Sequence, residues 1–500
     1  MVLLFCGAML ALYFILCNAR TLTRLPPGPI SVPIFGSIFF LRYPLHCCFA
    51  SLGKIYGPII HLRGGVVDYI VINSITIARE VLITHDLEFA YRPASKFGEY
   101  FSYGFKDIAL APYGESWKNL KQITSRHVMS NTRLDGVAWM YELEMAKSIK
   151  AIHSSGDHAP VNLTDAVGKF ISDAFCMILF GSTEVRVLDL VAQIGKQAIN
   201  VNIGNLFPAL DFLDLHGVNK TMKETLMPEL EQLLTQVIGA HKQNKTRIES
   251  QGEEFVSRDL TDVLLSLESL PDISIVALLT VSDTTHFSVW NLLFAQDILV
   301  AGVDTIKWTA VWAMAEVLRN SRVMENAQEE VKNTIVKSQL VKHSELVNLP
   351  YIEAIFKEVL RLHPVGALGV PHHNPSKATL AGYDIPKHCT VLINIWAIGH
   401  DPRHWDEPEV FRPERFLGDQ AKSNQELMMP FSAGRRTCPG IPIASRVVPF
   451  VVASLLHAFD WKSEGEIDLS ERSSGTLSCM PASELVAFAS ARLETSVYAC

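Results

Sequence analysis

One short segment near the end of the chain constrains the fold more than any other. It runs from Phe431 to Gly440 and reads FSAGRRTCPG, so that a single cysteine, Cys438, lies between Gly434 and Gly440. A thiolate that binds a metal needs backbone N–H groups turned towards its sulfur, and flanking glycines permit such a backbone path. We expect a helix to begin near Ile441, because its N-terminal dipole would favour the deprotonated sulfur. The ten-residue pattern therefore predicts a metal ligand, whereas a lone cysteine is more often an inert core residue.

The rest of the sequence is mostly helical in pattern. Apolar residues recur at spacings of three and four in five segments. These segments are Ser116–Val128, Met140–Ile152, Val167–Phe180, Lys223–His241 and Phe294–Arg319. The β-rich runs Ile59–Arg63 and Val66–Ile72 flank two glycines and predict a hairpin, and β-type sequence returns at Ala381–Ile398. With the polar stretch Lys242–Arg258 interpreted as a loop, we expect a mainly α fold (α+β) with one small sheet near the N-terminal end and a second late in the chain.

Charge and cysteine content exclude several classes of protein. The 44 Lys and Arg residues are outnumbered by 52 Asp and Glu residues, so the chain offers no excess positive charge to phosphates, and nucleic acid is not an expected partner. The nine cysteines are scattered and form no CxxC pair, which argues against a disulfide framework and a zinc ribbon. Neither GxGxxG nor GxxxxGK[ST] occurs, so the sequence indicates no dinucleotide site and no P-loop.

The first seventeen residues form an uncharged apolar run, MVLLFCGAMLALYFILC. As a helix this run would be about 25 Å long, at the short end for a bilayer core. Arg20 and Arg24 follow it, so the positive-inside rule places the body in the cytosol. A cleaved signal peptide is the alternative, but the run lacks a charged start and a small-residue cleavage site. We expect a transmembrane anchor at 1–17, a basic and Pro-rich hinge at 18–33 and one large domain at 34–500.

The cysteine segment resembles the heme-binding loop of the cytochrome P-450 monooxygenases, whose pattern is FxxGxRxCxG. Every fixed position of that pattern is matched, by Phe431, Gly434, Arg436, Cys438 and Gly440. The resemblance covers nearly the whole chain and looks like the plant microsomal type. It implies the cytochrome P-450 fold, a single large helical domain that binds heme b (iron protoporphyrin IX) with Cys438 as the metal ligand.

A second motif predicts a buried ion pair. Glu358 and Arg361 are three residues apart and therefore lie on one face of a helix whose neighbouring residues are apolar. A buried pair needs further partners for its remaining donors and lone pairs. The run Phe411–Phe416 resembles the family's PERF segment, and the resemblance implies that Arg415 is the third member. We interpret the three residues as structural, because they would hold the loop that presents Cys438.

The segment Ala301–Thr305 lies inside a long helical pattern and resembles the family's oxygen-activating segment. A glycine inside a helix costs about 1 kcal/mol relative to alanine, and close approach of a ligand is one reason to accept that cost at Gly302. The resemblance implies catalytic roles for Thr305 and Asp304 in proton relay. A helical threonine can instead hydrogen-bond to its own backbone. The family usually has a second Thr or Ser next, where this chain has Ile306.

Heme carboxylates are anions and need donors. By resemblance, Trp117, Lys121, His372 and Arg436 occupy the cofactor-binding positions, with Phe431 and Gly440 in the cysteine loop. Lys121 stands where relatives often have arginine, and it would act as a point charge without a bidentate fork. The alternatives are a core aromatic for Trp117 and a satisfied loop histidine for His372.

The resemblance implies a membrane-anchored heme-thiolate monooxygenase of secondary metabolism, placed by a single span in the endoplasmic reticulum membrane with its catalytic domain in the cytosol. It would hydroxylate a small apolar or aromatic substrate of the fatty-acid, flavonoid or phenylpropanoid class with O₂. Because the chain has no nucleotide motif, electrons would come from a separate NADPH-dependent cytochrome reductase, a flavoprotein. A basic patch could dock it. The residues of this patch are Lys118, Lys121, Arg126 and Arg435.

Two alternative functions remain open. A heme-thiolate hydroperoxide isomerase or dehydratase would need neither O₂ nor a reductase, but such family members tend to alter the cysteine loop and to lack the acid–threonine pair. A heme-binding adaptor without enzymatic activity is supported by Ile306 alone. Analogy with the family predicts an apolar substrate from the segments that should face it. These are Phe97–Ala111, Asn205–His216, Phe294–Asp304, Val365–Val370 and Ser474–Cys479.

Overall fold

A computed structural model of the chain describes residues 24–183, 188–199, 202–267, 287–472 and 478–499. The expected anchor at 1–17 and the start of the hinge lie outside the described residues. The part of the hinge at 24–33 contains no helix and runs along the first strand, where the His61 N–H donates to the Pro27 carbonyl at 2.9 Å. A Cβ added to Gly28 would lie 1.9 Å from the His61 carbonyl oxygen, so the contact requires glycine. Residues 24–33 thus lie against the sheet, and the domain boundaries stay predictions.

Helices make up most of the described chain. Those of the first half are α1 (Leu45–Tyr56), α2 (Ile75–Arg79), α3 (Lys96–Phe101), α4 (Glu115–Ile123), α5 (Asn131–Gly136), α6 (Ala138–Ser154), α7 (Leu163–Phe180), α8 (Leu188–Ile199), α9 (Ile203–Leu206), α10 (Val218–Thr221) and α11 (Met227–Ser250). Those of the second half are α12 (Leu260–Leu267), α13 (Phe287–Arg319), α14 (Ser321–Thr334), α15 (Pro350–Leu362), α16 (Ile395–Gly399), α17 (Ala421–Glu426) and α18 (Ile441–Ala458).

All five predicted helical segments are helical in the structure. A π-helical turn at Thr124–Val128 continues α4, and another at Met222–Leu226 precedes α11. The interpretation of Lys242–Arg258 as a loop was wrong for its first half, because α11 continues to Ser250. A surface helix needs only a narrow apolar stripe, and the buried stripe of α11 lies earlier, at Leu230, Leu234 and Ile238. The polar extension therefore carries no apolar signal for a sequence pattern to detect.

The strands form three small sheets. Their bounds are β1 (Ile59–Gly64), β2 (Val67–Ile72), β3 (Pro160–Asn162), β4 (His372–His373), β5 (Ala378–Leu380), β6 (Tyr383–Ile385), β7 (Thr390–Ile393), β8 (Phe459–Lys462) and β9 (Val486–Ala491). The hairpin β1–β2 is confirmed, and Gly65 at its turn has a φ of 58° that favours glycine.

The two predicted sheets are not separate. Strand β7, from the late β-type sequence, pairs in parallel with β2, and the sheet order is β1-β2-β7-β4. The β5–β6 hairpin forms a two-stranded sheet of its own, and β3, β9 and β8 form a third sheet that no sequence pattern predicted. The partner of β7 lies more than 300 residues away in the chain, and local sequence carries no information on such a pairing.

The largest core surrounds α13 and α18. Trp312 and Val311 of α13 and Val447 of α18 are fully buried in it. Among the described residues, two helical stretches are long and apolar enough to cross a membrane, Ala295–Arg319 and Ile441–Ala458, and 67% and 78% of them, respectively, is buried inside the protein. Both are therefore accounted for as interior helices of the body.

Gly302 of α13 has a packing reason. A Cβ at this position would lie 2.5 Å from Cε1 of Phe175, a buried ring on α7. The glycine lets these two helices approach each other. Contact with α7 thus gives one reason for the cost of a glycine inside α13, and close approach of a ligand at Gly302 stays a prediction.

Candidate active site

The loop before α18 turns the backbone towards the sulfur of Cys438. The Cys438 N–H donates to the Phe431 carbonyl at 3.0 Å, which closes the loop, and the Gly440 N–H donates to Cys438 Sγ at 3.3 Å. Gly440 caps α18, which begins at Ile441 as expected. Burial raises the pKa of the Cys438 thiol, and the Gly440 N–H acts in the opposite direction. The sulfur thus lies at a helix N-terminus and accepts a backbone hydrogen bond, as the sequence predicts for a ligand.

Gly434 occupies a position in the cysteine loop that requires glycine. Its φ is 65°, and a Cβ there would lie 1.8 Å from the carbonyl oxygen of Leu82. The Thr437 hydroxyl donates to the Gly434 carbonyl at 2.7 Å and ties this turn to the residue before Cys438. A side chain at 434 would push the loop away from Leu82 and would displace the cysteine with it.

Arg436 belongs to a buried group of cations beside the cysteine loop. It donates to the carbonyls of Ala90 at 2.6 Å and Ala111 at 2.5 Å, and burial lowers its pKa to about 10. Arg92 lies near it, and burial together with the charge of Arg436 lowers the pKa of Arg92 to about 9. We call Arg92, Arg436 and His372 the cation cluster.

Arg92 was not predicted from the sequence. Its guanidinium donates to the Val370 and Pro371 carbonyls, both at 2.8 Å, and to the Ala109 carbonyl at 3.0 Å. The available signal was an arginine directly before a proline in an otherwise apolar stretch, FAYRP. Arg92 is half-buried, and its three backbone hydrogen bonds hold the guanidinium in place.

His372 is 5% exposed and its Nδ1 lies 2.8 Å from the Phe89 carbonyl oxygen, so that nitrogen carries the proton. Burial and the charges of Arg92 and Arg436 lower the pKa of His372 to about 3. In this neutral form Nε2 offers a lone pair. Donation to an anion, as the resemblance implies, therefore requires the cationic ring, which a nearby carboxylate would favour.

Trp117 and Lys121 of α4 pack against the cysteine loop. The Trp117 indole N–H donates to the Ile108 carbonyl at 2.9 Å, and its ring lies 4.3 Å from the guanidinium carbon of Arg436. Lys121 Nζ contacts the Arg435 carbonyl and lies 5.3 Å from the Trp117 ring. The structure thus brings Trp117, Lys121 and Arg436 together. The charges of Arg92 and Arg436 both act on His372, so this residue belongs to the same group.

On the central helix, Asp304 is held by two donors. Its Oδ1 accepts from the Trp308 indole N–H at 2.9 Å, and its Oδ2 accepts from the Ser478 hydroxyl at 2.6 Å. The Thr305 hydroxyl donates to the Ala301 carbonyl at 2.6 Å, so in this structure it makes the helical back-bond. Ile306 is 3% exposed. Neither contact was predicted. Trp308 lies one helical turn after Asp304, a spacing that the sequence does offer, whereas Ser478 lies in a distant loop.

The residues present fit a heme. Ala301 is exposed in the middle of a helix whose neighbours Leu299 and Val303 are buried, so the helix is accessible at the predicted oxygen-activating segment. Cys438 is likewise enclosed yet partly accessible. The cation cluster supplies positive charge suited to two carboxylates. A thiolate ligand, interior space and buried cations are the three requirements of a heme-thiolate site.

The predicted ion network is present and buried. Arg361 donates through Nε and Nη2 to the two oxygens of Glu358, each at 2.7 Å, and through Nη1 to the Gly399 and Pro408 carbonyls, also at 2.7 Å. Arg415 Nε donates to Glu358 at 3.3 Å. The three side chains therefore tie α15 to the segment 399–415 that leads to the cysteine loop, and we call them the ion network.

Three of the four residues of the predicted basic patch line one surface groove, together with Tyr113 and Trp117. The three are Lys118, Lys121 and Arg435, and the fourth, Arg126, is exposed near them on the same helical segment. Lys118 pairs with Glu115 at 3.1 Å and Arg435 with Asp86 at 3.3 Å, so part of the positive charge is offset locally.

An interior cysteine at a helix N-terminus, buried cations beside it and a helical body with small sheets together define a heme-thiolate protein. A family model described as Cytochrome P-450 matches residues 26–487, and the chain belongs to this family. It is therefore a cytochrome P-450 monooxygenase that binds heme b through a cysteine thiolate, with the cytochrome P-450 fold as the resemblance implied.

Relatives and solved structures agree. The chain is 34% identical over 502 residues to a flavonoid 3'-monooxygenase of Arabidopsis thaliana, covering 95% of this chain and 93% of the relative. It is 33% identical to a costunolide synthase of Lactuca sativa, covering 91% of each chain. A zebrafish cytochrome P-450 solved with progesterone superposes with a TM-score of 0.71 at 27% identity, covering 90% of this chain and all of the other.

Proposed function

We propose that this protein is a membrane-bound hydroxylase that receives electrons from a separate NADPH-dependent reductase and inserts one oxygen atom of O₂ into a small apolar or aromatic substrate. The observation that carries the proposal is the geometry at Cys438, where a backbone N–H and a helix N-terminus converge on an enclosed sulfur. We assign Cys438 as the heme ligand. When bound, the heme supplies the O₂ activation, and the chain supplies the ligand, counter-charges, protons and substrate pocket.

We assign the heme carboxylates to the cation cluster and to Lys121. Arg436 and Arg92 keep their backbone hydrogen bonds and still present unneutralised charge, since their mutual repulsion contributes to the lowered pKa of Arg92. An anion placed between them would relieve that repulsion. Trp117 acts here through its ring, which lies against both Arg436 and Lys121 and shields them from water.

We assign proton delivery to Asp304 and Thr305. The Trp308 and Ser478 donors orient the Asp304 carboxylate one residue from Thr305. The Thr305 hydroxyl can rotate from the Ala301 carbonyl to donate towards the accessible space beside that residue. Ile306 has no polar atom, so this chain depends on Thr305 more than relatives with two adjacent hydroxyls.

The substrate class follows from the aromatic character of the predicted pocket segments. Phe97 and Phe101 stack with ring centroids 5.2 Å apart, and Phe101 and Leu299 are buried. Phe212 belongs to a different surface, because 81% of it is exposed. The relatives named for a flavonoid and for costunolide support a plant secondary metabolite of the apolar or aromatic kind. Flavonoid, phenylpropanoid and fatty-acid substrates all have this chemistry.

We place the protein at the endoplasmic reticulum membrane with its catalytic domain in the cytosol. Ile34, Phe35 and Phe39 directly follow the hinge and are 73%, 48% and 68% exposed. Phe35 lies 6.4 Å from the ring of Phe207, and Phe212 follows that residue in the same loop. Exposed apolar side chains next to the predicted anchor would lie in the interfacial region of the bilayer.

The groove lined by Lys118, Lys121 and Arg435 is our candidate dock for the reductase. It lies against the cysteine loop, so an electron donor bound there would approach the ligand side of the site. A positively charged groove with aromatic walls suits an acidic protein surface.

The first test concerns Cys438. A thiolate-ligated heme gives its reduced carbonyl complex a long-wavelength Soret band that imidazole ligation does not give. We expect Cys438→His to lose that band, while Cys389→Ser, a buried cysteine of the sheet region, retains it. An unchanged band in Cys438→His would disprove the assignment.

The second test concerns the reaction and its protons. The purified protein, reconstituted with an NADPH-dependent reductase, is assayed with flavonoids, phenylpropanoids and fatty acids for NADPH and O₂ consumption, product and hydrogen peroxide. We expect the parent to form hydroxylated product, and Thr305→Ala to consume NADPH with an intact heme spectrum but to lose product by about 10²–10⁴-fold and release peroxide. The neighbouring variant Ile306→Val is the control.

Two outcomes would contradict this proposal. Equal product per NADPH in Thr305→Ala would show that Thr305 only makes its helical back-bond. Conversion of a fatty-acid hydroperoxide without reductase or O₂, in the absence of any NADPH-dependent product, would favour the isomerase or dehydratase.

A further inference from the structure

Three metal-ligating side chains that the proposed reaction does not use are brought together from opposite ends of the chain. His46 is the second residue of α1, whereas Glu471 and Cys479 belong to the segment near the C-terminus in which residue 471 bridges residue 481. One donor atom from each residue lies within 4.8 Å of the donor atoms of the other two. A nitrogen, a carboxylate oxygen and a sulfur form the mixed donor set that zinc accepts.

The contacts converge on the imidazole of His46. Glu471 Oε2 lies 2.8 Å from Nε2, and Cys479 Sγ lies 3.9 Å from Nδ1. Donor atoms of a tetrahedral zinc site are about 3.3–3.8 Å apart, because Zn–N is about 2.0–2.1 Å and Zn–S about 2.3 Å. A single ion would use one ring nitrogen, and the side chain that lies at the other nitrogen would have to turn towards it.

The surroundings favour an ion over a simple ion pair. His46 is 5% exposed, and among the described residues its Nε2 has no hydrogen bond of acceptable geometry despite the short distance to Glu471. Burial raises the pKa of the Cys479 thiol to about 12, so a metal would have to displace its proton, as metals do at other thiol ligands.

We propose that His46, Glu471 and Cys479 bind a divalent cation of the zinc class, with the fourth position open to water. Calcium and magnesium prefer oxygen ligands alone, so the sulfur and nitrogen donors favour zinc-class transition metals over these two ions. The site shares no residue with the heme site or with the proposed proton relay.

Such an ion would join α1 to the C-terminal segment beside the central helix. The Cys479 N–H donates to the Val365 carbonyl at 2.8 Å, and the Trp312 indole N–H donates to the Cys479 carbonyl at 3.0 Å. The preceding residue, Ser478, donates to Asp304. The ion would therefore fix the position of a segment that orients Asp304 and that we predict to face the substrate.

A second cluster offers an internal comparison. His241, Asp259 and Asp262 also lie within 4.8 Å of one another. Their carboxylates already cap α12, since Asp259 Oδ1 accepts from the Asp262 N–H at 2.8 Å and Asp262 Oδ2 from the Arg258 N–H at 3.1 Å. This cluster is accounted for as a helix start and an ion pair.

The experiment uses the full-length heme protein purified without a polyhistidine tag. The protein is treated with a chelator, incubated with zinc chloride and desalted, and zinc is then measured per heme. Zinc-edge X-ray absorption measures the ligand shell. We expect one zinc per heme and one sulfur at about 2.3 Å. Cys479→Ser should remove the sulfur from the ligand shell or weaken zinc binding, and His46→Gln should weaken zinc binding. We expect a loss of at least about 10- to 100-fold in affinity, because substitution of residues that only hydrogen-bond to metal ligands already has that effect. Cys389→Ser and His241→Gln should bind zinc normally.

The results that overturn the proposal are equally specific. They are no retained zinc, a shell of nitrogen and oxygen alone, or zinc binding that falls in His241→Gln and not in His46→Gln. If Cys479→Ser fails to take up heme, His46→Gln is compared with His61→Gln. His61 is a histidine of the β1–β2 hairpin that pairs with Asp68. Loss of zinc in the first alone supports the site, and loss in both or in neither overturns it.

Discussion

The ion network and the cation cluster are both buried and both contain two arginines, yet their charges are balanced differently. In the ion network, Glu358 accepts from Arg361 and Arg415, and the remaining guanidinium N–H groups of Arg361 donate to backbone carbonyls. In the cation cluster, among the described residues, Asp107 is the carboxylate that interacts with Arg92 and Arg436, and burial raises the pKa of that carboxyl to about 6.

This difference separates a structural role from a binding role. A closed network gains nothing from a further ion, and breaking it strands charges in the interior. In the cation cluster, among the described residues, neither arginine forms a direct ion pair with a carboxylate, so the cluster is costly by itself and is relieved by an anionic ligand. Variants of the ion network therefore test the stability of the fold, whereas variants of the cation cluster test the affinity for the cofactor.

The largest effect is expected in the ion network. Glu358→Gln keeps the shape of the side chain but leaves Arg361 and Arg415 without a counter-charge, at a cost of about 3–5 kcal/mol, which is comparable to the net stability of a domain. We expect loss of folded protein, and with it loss of heme, measured by circular dichroism and by the heme spectrum.

The matched control lies on the same helix. Glu353 is exposed and pairs with Lys357 at 2.8 Å, so Glu353→Gln should cost about 0–1 kcal/mol and leave the heme content unchanged. Similar behaviour of the two variants would contradict the assignment of a special role to the buried network.

An intermediate effect is expected in the cation cluster. The heme-free Arg436→Gln variant should remain folded. Its affinity for heme should fall by about tenfold to hundredfold, since a hydrogen bond to a charged group contributes about 1.5–3 kcal/mol. Arg361→Gln should instead unfold the protein with and without heme. Heme titration of the heme-free variants, with circular dichroism as the measure of folding, distinguishes the two. A loss of fold in Arg436→Gln equal to that in Arg361→Gln would erase the proposed difference between the clusters.

The smallest effect concerns the pH dependence of stability. The Asp107 carboxyl has a pKa of about 6 when folded and an ordinary value of 3.8, so between these pH values the folded chain retains a proton that the unfolded chain has lost. Ionisation of Asp107 therefore lowers the free energy of unfolding progressively as pH rises from about 4 to 6. Asp107→Asn removes this contribution and still accepts from the Leu110 N–H.

We expect Asp107→Asn to melt about 2–4 °C higher than the parent at pH 7, and the difference to vanish near pH 4. Thermal denaturation of the heme protein across this range measures it. The exposed Asp189→Asn is the control. A lower melting temperature at pH 7 would show that the attraction between Asp107 and Arg436 outweighs the cost of burying the carboxylate.

Sequence patterns predicted the local parts of this molecule well. The start of α18 at Ile441, the β1–β2 hairpin and the pairing of Glu358 with Arg361 all depend on neighbours within a few residues, and the structure has each of them. The polar end of α11 escaped prediction because it carries no apolar period. Assignments carried over from the family, such as the ligand role of Cys438 and the relay role of Thr305, stay predictions.

What the sequence by itself determined is the class of site, because a thiolate loop needs glycines, a cysteine and a helix start in a fixed local order. What only the tertiary structure decided is which distant groups share one space. Arg92 joins Arg436, Ser478 holds Asp304, Phe175 accounts for Gly302, and His46 meets Cys479 across more than 400 residues. Such contacts depend on how helices and loops pack in three dimensions, and no local spacing encodes them.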